Sequence, residues 1–67
     1  MYQIDARFIR NELFKRSLAA KEMARLVGVN EFTMKKLLKD GATASAKIVG
    51  KLAAFFGVEG EQLILKP

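Results

Sequence analysis

Apolar residues return at intervals of three and four along most of the chain, a spacing that gathers them on one side of an α-helix. The first stretch runs from about Asp5 to Arg16. It sets Phe8, Ile9 and Leu13 on one stripe, leaves Arg7, Arg10, Asn11, Lys15 and Arg16 largely off it, and has Asp5 as its N-cap. The second runs from Leu18 or Ala20 to Val27, with Met23, Ala24 and Val27 inward and Lys21, Glu22 and Arg25 outward. A third, Glu31 to Lys39, turns Met34, Leu37 and Leu38 in and Lys35, Lys36 and Lys39 out. The side-chain oxygen of Asn30 is placed to accept a first-turn N–H of that helix. The fourth, Ser45 to Phe56, buries Ile48, Val49, Leu52, Ala53 and Phe56, and its Lys47 and Lys51 share a face. From Val58 to Pro67 the pattern supports one short turn around Glu61, Gln62 and Leu63, then Ile64 and Leu65. No alternation is long enough to build a sheet, although Ile64 and Leu65 can pair with a partner chain.

Three of the five glycines, Gly28, Gly41 and Gly57, fall where these stretches stop, the place where a left-handed residue closes a last turn. Gly50 sits inside the fourth stretch, where it costs about 0.5–1 kcal/mol relative to alanine; close packing against another helix would account for it. The expected architecture is all-α, a compact bundle of about five short helices forming one domain over residues 1–67. A chain of this length buries only about 60% of its unfolded surface, so few apolar residues can be spared from the core.

Composition narrows the chemistry. Hydrophobic residues make up 51% of the chain and there is a single proline, as in a folded globule. Cysteine and histidine are both absent, which excludes disulfides, thiolate metal sites and the commonest proton shuttle. The seven carboxylates fall mostly on outward helical faces without a clustered acid and base, so neither an enzyme nor a metal or cofactor site is expected. No run approaches the roughly 20 apolar residues of a membrane span, and the segment from Met1 to Asp5 lacks the layout of a signal peptide, which points to the cytoplasm. Twelve Lys and Arg against seven Asp and Glu leave a net charge of +5. On so small a surface that favours a polyanion, nucleic acid ahead of acidic lipid or acidic protein.

The most informative stretch is residues 20–39, two short helices joined by a tight turn. Ala24 is small enough to let the two helices cross closely, Gly28 supplies positive φ, Val29 drops into the core, and Met23, Val27, Met34 and Leu37 wedge the crossing. This spacing resembles the helix-turn-helix of the lambda-repressor/Cro family, often called XRE-type. The likeness continues through Gly41, Ile48, Leu52, Ala53, Phe56, Gly57, Val58 and Leu63, and covers about Leu18 to Leu65. It implies a sequence-specific regulator of transcription that binds double-stranded DNA. In that family the N-terminal part of the recognition helix enters the major groove, which implies base contacts from Asn30, Glu31, Phe32, Thr33, Lys35 and Lys36, with Lys39 trailing along the backbone. Asn pairs with adenine, Lys with guanine and Glu with the cytosine amino group, while Phe32 can press on a thymine methyl. Lys21, and Thr43 or Ser45, are the backbone contacts expected to stand in where the chain departs from the family.

Each of these residues also has a plainer role. Asn30 can serve as a cap, Glu31 can complement the helix dipole, the lysines can form a solvated face, and Phe32 can meet a protein partner instead of DNA. The chain departs from the family pattern at Ala19 and Ala20, where a phosphate-clamping Ser or Thr and Gln are usual. Ser17 is then the candidate cap, and a phosphate would rest on the helix end and Lys21. It departs again at Ala44, where proline is common, leaving Thr43 or Ser45 as cap. The resemblance further implies a Cro-like homodimeric repressor, of the kind carried by phages and other mobile elements, reading a palindromic operator whose half-sites lie about 10 base pairs apart, with no small-molecule substrate. Phe55, Leu63, Ile64 and Leu65 are the candidate dimer contacts, or else satellite core. The alternative is an antitoxin-like or excisionase-like accessory module that needs a protein partner for DNA affinity.

Overall fold

Asp5 ends an extended N-terminal segment and starts the first helix, its carboxylate accepting the Phe8 N–H at 3.2 Å. The structure, a computed structural model, describes residues 1–65. Strand β1 (Tyr2–Gln3) leads into helix α1 (Ala6–Arg16), followed by α2 (Ala20–Val27), α3 (Glu31–Leu37), strand β2 (Thr43–Ala44), α4 (Ala46–Phe56) and a 3-10 turn, Gly60–Leu63. The fold is mostly helical, with four α-helices where about five helices were expected, the last being that 3-10 turn. No helix among the described residues is long and apolar enough to cross a membrane.

The expected all-α architecture needs a correction. Strand β1 pairs antiparallel with β2, Tyr2 opposite Ala44 and Gln3 opposite Thr43. On the other side of β1, Ile4 bridges Ile64 and the Leu65 N–H donates to the Gln3 carbonyl at 2.9 Å. Ile64 and Leu65 thus pair within the chain, where pairing with a partner chain was expected. Each paired segment is two residues long, too short for alternation to register, and the hydrogen bonds join the N-terminal segment to the middle of the chain on one side and to residues 63–65 on the other. The apolar–polar–apolar order of Tyr2, Gln3 and Ile4 was the one local sign.

Helix boundaries follow their capping chemistry. Ser17, the expected cap of α2, instead closes α1 in a left-handed conformation at φ 54°. The N-cap of α2 is Ala19, whose N–H donates to the Glu22 carboxylate at 2.9 Å. Glu22 supplies the half of a capping box that alanine leaves open to it. Helix α3 stops two residues before the expected Lys39, because the N–H groups of Leu38 and Lys39 turn back to the carbonyls of Lys35 and Lys36, tightening the last turn. Ser45, not Thr43, caps α4, accepting the Ile48 N–H at 3.4 Å.

The core forms where the inward stripes meet. Met23, Ala24 and Val27 of α2 lie against Met34 and Leu37 of α3, closed from above by Ile9 of α1 and by Val49, Leu52 and Phe56 of α4. Ile4, from the N-terminal segment, and Leu63, from the 3-10 turn, are both fully buried. Leu63 therefore belongs to the core and leaves the list of candidate dimer contacts. Phe55 packs half-buried at the edge, Ile64 is likewise half-buried, and Leu65 is exposed. Gly50 does not support the expected close approach: it is exposed, and a Cβ built there meets nothing within 4 Å.

Candidate nucleic-acid interface

The segment that joins α2 to α3 is held from both sides. Gly28 adopts φ +92°, and the N–H groups of Gly28 and Val29 both reach the Ala24 carbonyl, at 2.9 and 3.0 Å. Its own carbonyl accepts the Lys51 ammonium of α4 at 3.0 Å. A positive-φ residue followed by a half-buried Val29 turns the chain sharply, and Ala24, 2% exposed, leaves room for α3 to lie directly on α2. Asn30 then starts α3, its Oδ1 accepting the Thr33 N–H at 2.7 Å. At the far end the Arg10 guanidinium of α1 donates to the Leu38 carbonyl at 2.7 Å and pairs with Asp40 at 3.1 Å. Helix α3 is thus anchored at its start, along its buried side and at its end.

What this leaves open is the opposite side of α3. Phe32, Lys35, Lys36 and, just beyond the helix, Lys39 are exposed, whereas Met34 and Leu37 are fully covered. Glu31 and Thr33 are half-buried at the flanks. Within this face the Lys36 ammonium sits 4.6 Å from the centre of the Phe32 ring, and Lys35 pairs with Glu31 at 3.0 Å. The hydrogen bond and charge of Lys35 hold the Glu31 carboxyl below its usual range, with Lys21 lowering it further. Phe32, Lys35, Lys36 and Lys39 form one exposed surface flanked by Asn30, Glu31 and Thr33, and Lys21 is exposed on the neighbouring α2. Thr43 lies exposed in β2 and Ser45 is engaged as the α4 cap; among the described residues no hydrogen bond or ion pair joins either to α3.

Among the described residues, Arg10, Lys15, Arg16 and Lys35 form ion pairs, which leaves Arg7, Lys21, Arg25, Lys36, Lys39, Lys47 and Lys51 outside any. No group of three or more His, Cys, Asp or Glu side chains among them is placed to hold a metal ion. Set against family models, curated proteins and solved structures, the chain matches nothing.

Two residues that position this surface were not singled out for that role in the sequence. Arg10 and Lys51 read there as outward helical charge, yet they reach carbonyls 28 and 23 residues away. No local pattern carries such contacts. Glu22 as the partner of the α2 N-cap was legible, three residues after Ala19, but alanine conceals the capping box by lacking its usual first member.

Proposed function

We propose that the chain is a sequence-specific double-stranded DNA-binding regulator of transcription in which α2 and α3 act as a helix-turn-helix and α3 enters the major groove. One observation carries this reading. Helix α3 is fixed to the body by Met34, Leu37, Asn30 and Arg10, while its other side keeps Phe32, Lys35, Lys36 and Lys39 in solvent. A helix held this firmly, with a basic and aromatic side that the fold does not use, suits a groove about 12 Å wide lined by acceptors and thymine methyls. On this reading Lys21, exposed on α2, meets a backbone phosphate, and Asn30 and Glu31 at the start of α3 reach base edges. We assign Thr43 and Ser45 no more than flanking backbone contact, given their other engagements.

The expected assembly is a Cro-like homodimeric repressor on a palindromic operator with half-sites about 10 base pairs apart, and Phe55, Ile64 and Leu65 are the remaining contact candidates. Enrichment of duplexes from a random pool by the pure protein tests the reading directly. A single enriched motif, lost when Lys35 and Lys36 are both replaced by alanine, is the expected result. Absence of any enrichment refutes it.

A second reading keeps the fold and changes the partner. Phe14 is 82% exposed on α1 and Leu26 57% exposed on α2, apolar surface of the kind an accessory module offers to another protein. Under that reading the pure protein would enrich no motif, and DNA binding would appear only with the second protein added.

A further inference from the structure

Phe32 is 67% exposed on the side of α3 opposite the buried Met34 and Leu37, and among the described residues it is not one of those packed against the hydrophobic core. A single exposed ring is ordinary on a protein surface, but its flat apolar face is available to cover an apolar group of a ligand. Lys36, one helical turn further on, rests its ammonium 4.6 Å from the ring centre. This cation–π contact steadies both side chains and leaves most of the ring open. Together they present an apolar plate and a positive donor separated by little more than the rise of one base step, about 3.4 Å. In the major groove that combination has one natural complement. The thymine C5-methyl is the apolar feature of the groove floor, and the O6 and N7 of guanine are its strongest paired acceptors.

Resting on the DNA-binding reading of α3, we propose that Phe32 and Lys36 act as one reading unit for a thymine beside a guanine, Phe32 covering the thymine methyl and Lys36 donating to guanine N7. Phe32 is then the residue that sets specificity for the methyl group, while Lys35 and Lys39 contribute phosphate attraction that does not depend on sequence. The two flanking side chains fit this division. Glu31 is drawn onto Lys35 and holds that ammonium at the edge of the face, whereas Lys36 makes no ion pair among the described residues.

The experiment uses the full chain and duplexes that it enriches from a random pool. In the enriched duplex each thymine is replaced in turn by deoxyuridine, which removes only the C5-methyl, and each guanine by 7-deazaguanine, which removes only N7. One uracil substitution should weaken wild-type binding about fourfold, the worth of one buried methyl-sized group. The adjacent deazaguanine should weaken it about tenfold, as for a hydrogen bond to a charged donor. Phe32→Ala should lose the uracil effect and keep the deazaguanine effect, and Lys36→Ala the reverse. Both variants should melt with the wild type, since both side chains are exposed. Binding that is indifferent to uracil at every thymine, or uracil sensitivity that survives Phe32→Ala, overturns the inference while leaving DNA binding intact and assigns Phe32 to a protein partner. No enriched duplex at all overturns the DNA-binding reading itself, and this inference with it.

Discussion

Glu12 lies on α1 between Lys15 and Arg16, buried at the protein's edge and paired with both at 3.1 Å. Burial pushes its carboxyl pKa up, but the hydrogen bonds and charges of Lys15 and Arg16 outweigh that and leave it below the ordinary glutamate value. Arg16 in turn lies over the Phe55 and Phe56 rings at 4.8 and 5.4 Å, so the charge network borders the aromatic cluster in which Phe8 meets Phe56 edge-on. A carboxyl whose folded pKa is depressed adds stability above its unfolded pKa of about 4.3 and loses that contribution as pH falls through the lower folded value. Replacing Glu12 with Gln should therefore cost about 1 kcal/mol at neutral pH, with a denaturation gap to the wild type that closes as pH drops below about 4. A gap that stays constant with pH would show that the pairing does not contribute. At the same scale, Lys35→Ala and Lys36→Ala should weaken DNA binding while changing stability by less than about 0.5 kcal/mol, read by gel shift and thermal melting together. Most of this was out of reach of the sequence: Glu12 lies beside the apolar stripe of α1, and only the packed neighbours reveal that it is covered.

At the scale of elements, two glycines make opposite predictions. Gly28 holds φ +92°, a conformation costing an L side chain about 1–2 kcal/mol, and the nearest atom to an added Cβ is the Lys51 ammonium at 4.0 Å. Gly28→Ala should destabilise the protein by about that amount through the backbone alone, and should loosen the seating of α3. Gly50 has helical geometry and open space around it, so Gly50→Ala should stabilise by about 0.5–1 kcal/mol. Paired urea titrations check both, and a destabilising Gly50→Ala would mean that the α4 surface has a use the fold does not explain. The helices themselves were legible because a 3.6-residue apolar period runs through each and most carry a local end signal: Asp5, Asn30 and Ser45 cap α1, α3 and α4, and Gly28 and Gly57 stop α2 and α4. Their exact ends were less so. Leu38 and Lys39 continue the periodic pattern, but a turn tightened by Arg10 from another helix decides where α3 finishes.

Across the whole molecule, the N-terminal segment is a structural strap. Ile4 is fully buried, its N–H reaches the Ala42 carbonyl at 2.9 Å, and the next N–H, of Asp5, reaches the Leu63 carbonyl at 2.8 Å. Two consecutive residues thus join the start, the middle and the end of the described chain. Ile4→Ala should cost about 2–5 kcal/mol in a chemical melt, as for other fully buried aliphatic truncations, and a loss under about 1 kcal/mol would show the strap to be dispensable. DNA affinity should fall steeply and log-linearly with salt, since a protein with a +5 charge would bind by releasing counterions; a flat profile argues for a different partner. The sequence alone determined the four helices, their inward residues, the basic outward side of residues 31–39 and the turn at Gly28, because periodicity, capping and backbone permissiveness are written within a few residues of each other. That Ile4 and Leu63 are core, that the two ends of the described chain pair around β1, and that Arg10 and Lys51 brace the α2–α3 unit became visible only in the folded molecule. Those contacts join residues more than twenty positions apart, and their energy exists only once the chain has closed on itself.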